Sequence, residues 1–199
     1  YKACGIPVVV AGQNISGIPC VYHDDYNAAR ELTLRILDRG IKRLAYIGVD
    51  EHDPQAGRAR KNGVMSACAS CGVNEDDVIT KIADFDAESG YECMKGVLKK
   101  HKDVDGVMCA TDTIAFGAMR ALSEAKKRPG EDVPIAGVGD SWMDMYSIRP
   151  LTTAHFFYRQ CGEDAAQMML SIIEGNDAGT PTPVRQMCLE YEIIDRGSV

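Results

Sequence analysis

Short apolar runs alternate along this chain with longer segments whose apolar residues recur at helical spacing. Ile6 to Ala11, Leu44 to Gly48, Val78 to Ala83, Val104 to Cys109, Val133 to Val138 and Thr152 to Phe156 read as strands, each closed by polar or turn-forming residues. Between them, Ala29, Leu32, Ile36 and Leu37 form one helical stripe, with Gly40 placed to end it. Tyr91, Met94 and Leu98 form a second stripe, and Ile114, Ala118, Ala121 and Leu122 a third. Cys161, Ala165, Met168 and Ile172 mark a long helix ending at Gly175. A further helix is predicted from about Gly57 to Cys71, with Arg58 and Arg60 in its first turn. Met187, Leu189, Tyr191 and Ile193 alternate as one last strand, whereas Val21 to His23 reads as a short crossing segment followed by a cap at Asp24 or Asp25. Strands separated by helices predict βαβ units and therefore an α/β fold with a parallel sheet flanked by helices.

Ligands of an open parallel sheet sit outside the carboxyl ends of its strands. Four loops share that edge: Asp50 to Arg60, Asp84 to Asp86, Thr111-Asp112, and Asp140 to Trp142. They bring carboxylates, arginines, a hydroxyl and two aromatic rings, Phe85 and Trp142. Acids and Arg grip vicinal hydroxyls while an aromatic face covers the apolar side of a sugar ring, so a small polyol suits this edge better than a phosphate. Cations in a helix's first turn oppose its dipole, which marks Arg58 and Arg60 for a ligand or an acid. The plain alternatives are solvated arginines, a core Phe85, and a core or interface Trp142. Phe116 and Met119 lie off the main stripe of their helix and would face solvent unless a second chain covers them, which marks a subunit interface.

The composition narrows the classes. The chain has 199 residues, 45% hydrophobic and 26% charged, enough to bury a real core. With a net charge of −7 and no basic patch, it is a poor nucleic-acid binder by itself. No apolar run reaches membrane length and no signal-peptide pattern is visible, so a membrane partner is not expected. Cys68 and Cys71 form a CxxC without a second pair or a spaced His pair, so the eight cysteines read as cytosolic thiols and no metal or cofactor is expected. GxGxxG after a strand, GxxxxGK[ST] and GxSxG are all missing, and no nucleophile–base pair can be assembled, so no catalytic residue is assigned. His23, beside two acids, reads as structural. The opening Tyr1 directly ahead of a strand suggests a piece of a longer protein.

IPVVVAGQ, VYHDDYNAAREL, LAYIGV, RARKNGV, ATDTIAFGAMRAL, VPIAGVGDS, IRPLTTAHF and IIDRGSV occur in an order that resembles the effector-binding core of the lactose/galactose repressor family. The VGDS and HFFYRQCGEDAA segments look most like repressors of sucrose operons. The resemblance implies a periplasmic-binding-protein-like (type I) two-lobe core with one lobe incomplete. Residues 1–17 and 150–183 are then remnants of the amino-terminal lobe, 18–149 the carboxyl-terminal effector-binding lobe, and 184–199 a terminal strand returning to that lobe. The long helix after Phe156 would lack partners for its stripe. The resemblance implies a cytoplasmic, non-enzymatic sugar sensor that reaches operator DNA through a headpiece absent from this sequence. It implies a homodimer using the helix of Phe116. The alternative is a periplasmic-type sugar-binding protein of a transporter. By position, Arg60 matches the arginine on effector hydroxyls, Phe85 the aromatic against the ring, Thr111 a residue often Asn, and Asp112 the acid after it. Asp140 is the acid left in GVGDS where the family has two, because Gly139 replaces the first.

Overall fold

Nine strands and five α-helices alternate among the residues that the computed structural model describes, 6–180 and 183–199. They are β1 (Val10–Ala11), β2 (Cys20–His23), α1 (Asp25–Leu37), β3 (Leu44–Gly48), α2 (Arg60–Ser70), β4 (Ile79–Ile82), α3 (Ala87–Lys100), β5 (Gly106–Cys109), α4 (Asp112–Glu124), β6 (Ile135–Val138), β7 (Thr152–Phe156), α5 (Tyr158–Asp177), β8 (Gln186–Leu189) and β9 (Tyr191–Ile194). The chain falls into two units. One runs through Asp24 and resumes over Phe156–Tyr191; the other comprises Asp25–His155 and Glu192–Val199.

In the first unit, β1, β2 and β8 form a parallel three-stranded sheet in that order, with Val10 opposite Cys20 and Cys20 opposite Gln186. The segment read as a crossing is therefore its central strand. Cys161 and Met168 of α5 pack on Val21, with Val9, Ala165, Ile172 and Leu189 around them, so the α5 stripe does find partners. His23 stacks on Phe156 with centroids 4.6 Å apart and meets Tyr158 edge-on. The units change over at 24/25, 155/156 and 191/192 rather than at the expected 17/18, 149/150 and 183/184. Strand pairing is the reason: β2 and β8 are bonded into the small sheet, and β7 is bonded to β6 in the large one.

In the second unit the sheet runs β4-β3-β5-β6-β7-β9, with the neighbours from β4 to β7 all parallel. Every residue of β3, β5 and β6 is buried, as helices on both faces require. The α1 stripe predicted from sequence is buried throughout. The alternating segment near the end splits at Glu190 into β8 and β9, which join different sheets. Beyond β9, Ser198 is fully buried; its Oγ donates to Ile135 O and accepts from Thr152 N, stitching the tail to β6 and β7.

Helices α3 and α4 touch backbone to backbone. A Cβ added at Gly117 would lie 1.8 Å from Ala87 O, and one at Gly90 would lie 2.4 Å from Ile114 O. This contact corrects one expectation. Met119, expected on a solvent face, is fully buried, because α4 is covered by α3 as well as by the sheet. Phe116 stays half-buried, in line with exposed Thr113 and Arg120. On α3 the buried line is Gly90, Met94 and Val97. Tyr91 reaches across to Glu124 (2.7 Å) under the Arg120 guanidinium.

Candidate functional site

Parallel strands send the loops after β3, β4, β5 and β6 out along one edge of the second unit. After β3 the chain makes a π-helical turn, Pro54–Ala59, capped by the Asp53 carboxylate, which accepts from Gln55 N (2.9 Å) and Ala56 N (2.8 Å). This wide turn separates the two arginines that helical spacing placed together. Arg58 is exposed, donates to Glu51 O (3.1 Å), and lines a depression of about 410 Å³ with Asp50, Glu51, His52 and Ile82. Hydrogen bonds from the His52 amide and ring hold the Asp50 carboxyl below the usual carboxylate range. Arg60, at the start of α2, is buried. Its Nε donates to Asp25 Oδ1 (2.7 Å) and its Nη1 to Ala110 O at the end of β5. Gln55 Nε2 donates to Asp25 Oδ2 (3.1 Å). The guanidinium is thus fixed at the strand ends by an acid that the sequence presented as a helix cap.

The other predicted residues divide into two groups. Phe85 is 56% exposed in the turn after β4, so it is an uncovered ring and not core. Thr111 caps α4 by accepting from Ile114 N (3.3 Å), which leaves its hydroxyl hydrogen to give. Asp112 and Asp140, expected to meet effector, both have partners within the protein. Asp112 is buried; Oδ1 accepts from Thr153 Oγ1 (2.7 Å) and Oδ2 from Ser141 N (3.0 Å). Asp140 sits at φ +52°, a left-handed conformation that Asp tolerates better than most residues. Its Oδ1 takes Arg196 Nη2 (2.6 Å) and its Oδ2 faces His155 Nδ1 (2.8 Å). The two acids hold the loop after β6 in place, using partners from β7 and the chain's end that no local motif announces. Trp142 is 78% exposed, which excludes the core reading.

Among the described residues no cluster of three His, Cys, Asp or Glu side chains is arranged for a metal ion. Burial pushes the Cys68 thiol up to about 11, which opposes thiolate formation. No helix among the described residues is long and apolar enough to cross a membrane.

Residues 34–199 match the model of a periplasmic binding protein-like domain. The chain is 30% identical over 98% of its length to the HTH-type transcriptional regulator CelR of Thermobifida fusca. It is 28% identical over 96% to the HTH-type regulator RegA of Clostridium saccharobutylicum. It spans 57% of the length of each of these two regulators. The solved CelR–cellobiose complex superposes with a TM-score of 0.86 at 28% identity, over 98% of this chain and 59% of that one. A LacI family regulator from Enterococcus faecium with bound ribose has the same fold, with a TM-score of 0.87 at 24% identity over 99% and 72% of the two chains.

Proposed function

Because the chain belongs to the periplasmic binding protein-like domain family of LacI-type transcriptional regulators, we propose that it is the sugar-sensing part of a bacterial repressor of carbohydrate-utilisation genes. It acts as a non-enzymatic receptor in the cytoplasm. The observation that carries this reading is the fixed Arg60 guanidinium at the carboxyl edge of the sheet, held by Asp25 and the Ala110 carbonyl. A planar donor array held rigid in advance suits neighbouring hydroxyls, since little freedom is lost when a ligand arrives. Thr111 adds a hydroxyl and Phe85 an uncovered ring for the apolar face of a pyranose or furanose. The likeness to a cellobiose-bound regulator over nearly the whole chain supports a saccharide as the ligand class. A transporter's binding protein is the weaker reading, since the relatives named above are HTH-type regulators.

In this reading, effector binding biases the receptor between two states that differ in the affinity of attached headpieces for operator DNA. A thermal-shift screen of the full-length protein tests it, using mono- and disaccharides including cellobiose, ribose, sucrose and their phosphates, with nucleobases and amino acids alongside. At least one saccharide raises the melting temperature; a screen in which only nucleobases or amino acids do so sinks the reading.

The repressor is also proposed to be a homodimer. With Met119 committed to the chain's own core, the interface on α4 rests on Phe116, flanked by exposed Thr113 and Arg120. Phe116→Asp places a charge in that contact and should halve the mass seen by light scattering at micromolar concentration. A dimer that survives the change moves the interface to another surface.

A further inference from the structure

The loop leaving β6 has an inverted distribution of polarity. Trp142 is 78% and Tyr146 83% exposed, their rings edge-on at 6.5 Å, yet Asp144 between them is fully buried. Asp144 is also the internal hub of this loop. Its amide donates to Ser141 O (2.9 Å), and its carbonyl accepts from Leu151 N (3.1 Å) and Ser147 Oγ (2.9 Å). The carboxyl is poorly served by comparison. Oδ2 lies 3.4 Å from Arg196 Nη1, and Oδ1 meets no donor among the described residues. The group within hydrogen-bonding reach is another buried acid, Asp112, which already accepts from Thr153 and Ser141. Two buried carboxylates side by side repel, and a proton held between them satisfies both.

We propose that the Ser141–Arg149 loop is fastened by one proton shared between the buried carboxyls of Asp144 and Asp112, making it a latch that loosens when that proton is lost. The charged and titratable groups around the pair come from several elements. Arg196, after β9, faces Asp144 and Asp140, and His155 of β7 is bonded to Asp140. Arg60 of α2 acts on Asp112, and the Cys109 thiol of β5, itself pushed up by burial, lies near Asp112. Burial raises the Asp112 carboxyl too, but Asp112 has two protein donors besides Asp144 and the pull of Arg60, whereas Asp144 has one long contact, so Asp144 is the member that holds the shared proton more tightly. Burial first, then the Asp112 charge, raises the Asp144 carboxyl from 3.8 to about 8, with Arg196 opposing. The folded chain therefore holds a proton that the unfolded chain has lost between pH 3.8 and about 8. Stability falls as pH rises through that window, and the loss is complete above it.

Trp142 is the chain's one tryptophan and lies two residues from Asp144, so its emission reports the latch directly. In the wild-type chain the emission should shift in a one-proton transition centred near pH 8, with the melting temperature lower at about pH 9 than at about pH 6. Asp144→Asn keeps a donor toward Asp112 but cannot ionise, so both changes should disappear. An unchanged transition in that variant would assign it to another group and overturn the proposal. Should the variant fail to fold, the side-chain carboxyl 13C titration of Asp144 in the wild-type chain decides. A midpoint near 8 supports the latch, and one in the ordinary aspartate range near 4 overturns it.

Discussion

Gly117→Ala is expected to lower the unfolding free energy by about 3 kcal/mol, because the added methyl group meets backbone rather than a yielding side chain. The new Cβ would stand 1.8 Å from Ala87 O and 2.6 Å from Tyr91 N, both on α3. Relief requires moving one whole helix off the other, and that also uncovers Met94 and Ile114. Gly96, also on α3, supplies the contrast: a Cβ there meets nothing within 4 Å. Gly96→Ala should be neutral or stabilising by up to about 1 kcal/mol through helix propensity alone. Urea titration of the two variants separates the contact from the propensity effect, and equal midpoints would show that the α3–α4 approach is looser than described.

Asp25→Ala should be comparably severe, at about 3 kcal/mol, since it removes the acid from a buried ion pair and leaves the guanidinium in low-dielectric surroundings. Asp25 is 3% exposed, and its carboxylate receives both Arg60 Nε and Gln55 Nε2. The loss should reach function as well. Without Asp25 the guanidinium is free to swing from the position set by the Ala110 carbonyl, and saccharide affinity should fall at least about tenfold even where the variant remains folded. Calorimetry well below the variant's melting temperature distinguishes the two effects. A stability loss with unchanged affinity would make Asp25 a purely structural residue.

The helices and most strands were legible because their apolar periodicity is local. Ala29, Leu32, Ile36 and Leu37 are buried as their spacing requires, and Asp86 does cap α3 by accepting from Ser89 N. What escaped depends on partners distant in sequence. The brief β2 carries no pattern of its own and becomes a strand only between β1 and β8. The alternation from Met187 to Ile193 runs unbroken across Glu190, so it cannot reveal that two sheets share it. Met119 is covered because Gly90 of α3 and Gly117 of α4 let the two helices approach, which the apolar spacing along α4 does not reveal.

The site follows the same rule. Strand-end loops placed Arg60, Phe85 and Thr111 on one edge from sequence, but the separate fates of Arg58 and Arg60 depend on a π-helical turn that helical spacing does not predict. Asp112 and Asp140 stood out in sequence because they follow strands, but their partners Thr153, His155 and Arg196, between 15 and 56 residues away, could not be read from it. Asp25 carried the weakest signal of all, an acid at a helix start, and proves to be the residue that fixes the candidate arginine.

The central claim is that Arg60 meets a saccharide at this edge. The most direct test is calorimetric titration of the full-length protein and its Arg60→Ala variant with whichever saccharide stabilises the wild type. Loss of the donor array, with the fold checked by circular dichroism, should weaken binding at least about a hundredfold, as expected when charge-assisted hydrogen bonds are removed. Equal affinity in the two proteins would contradict the account and move the ligand away from Arg60.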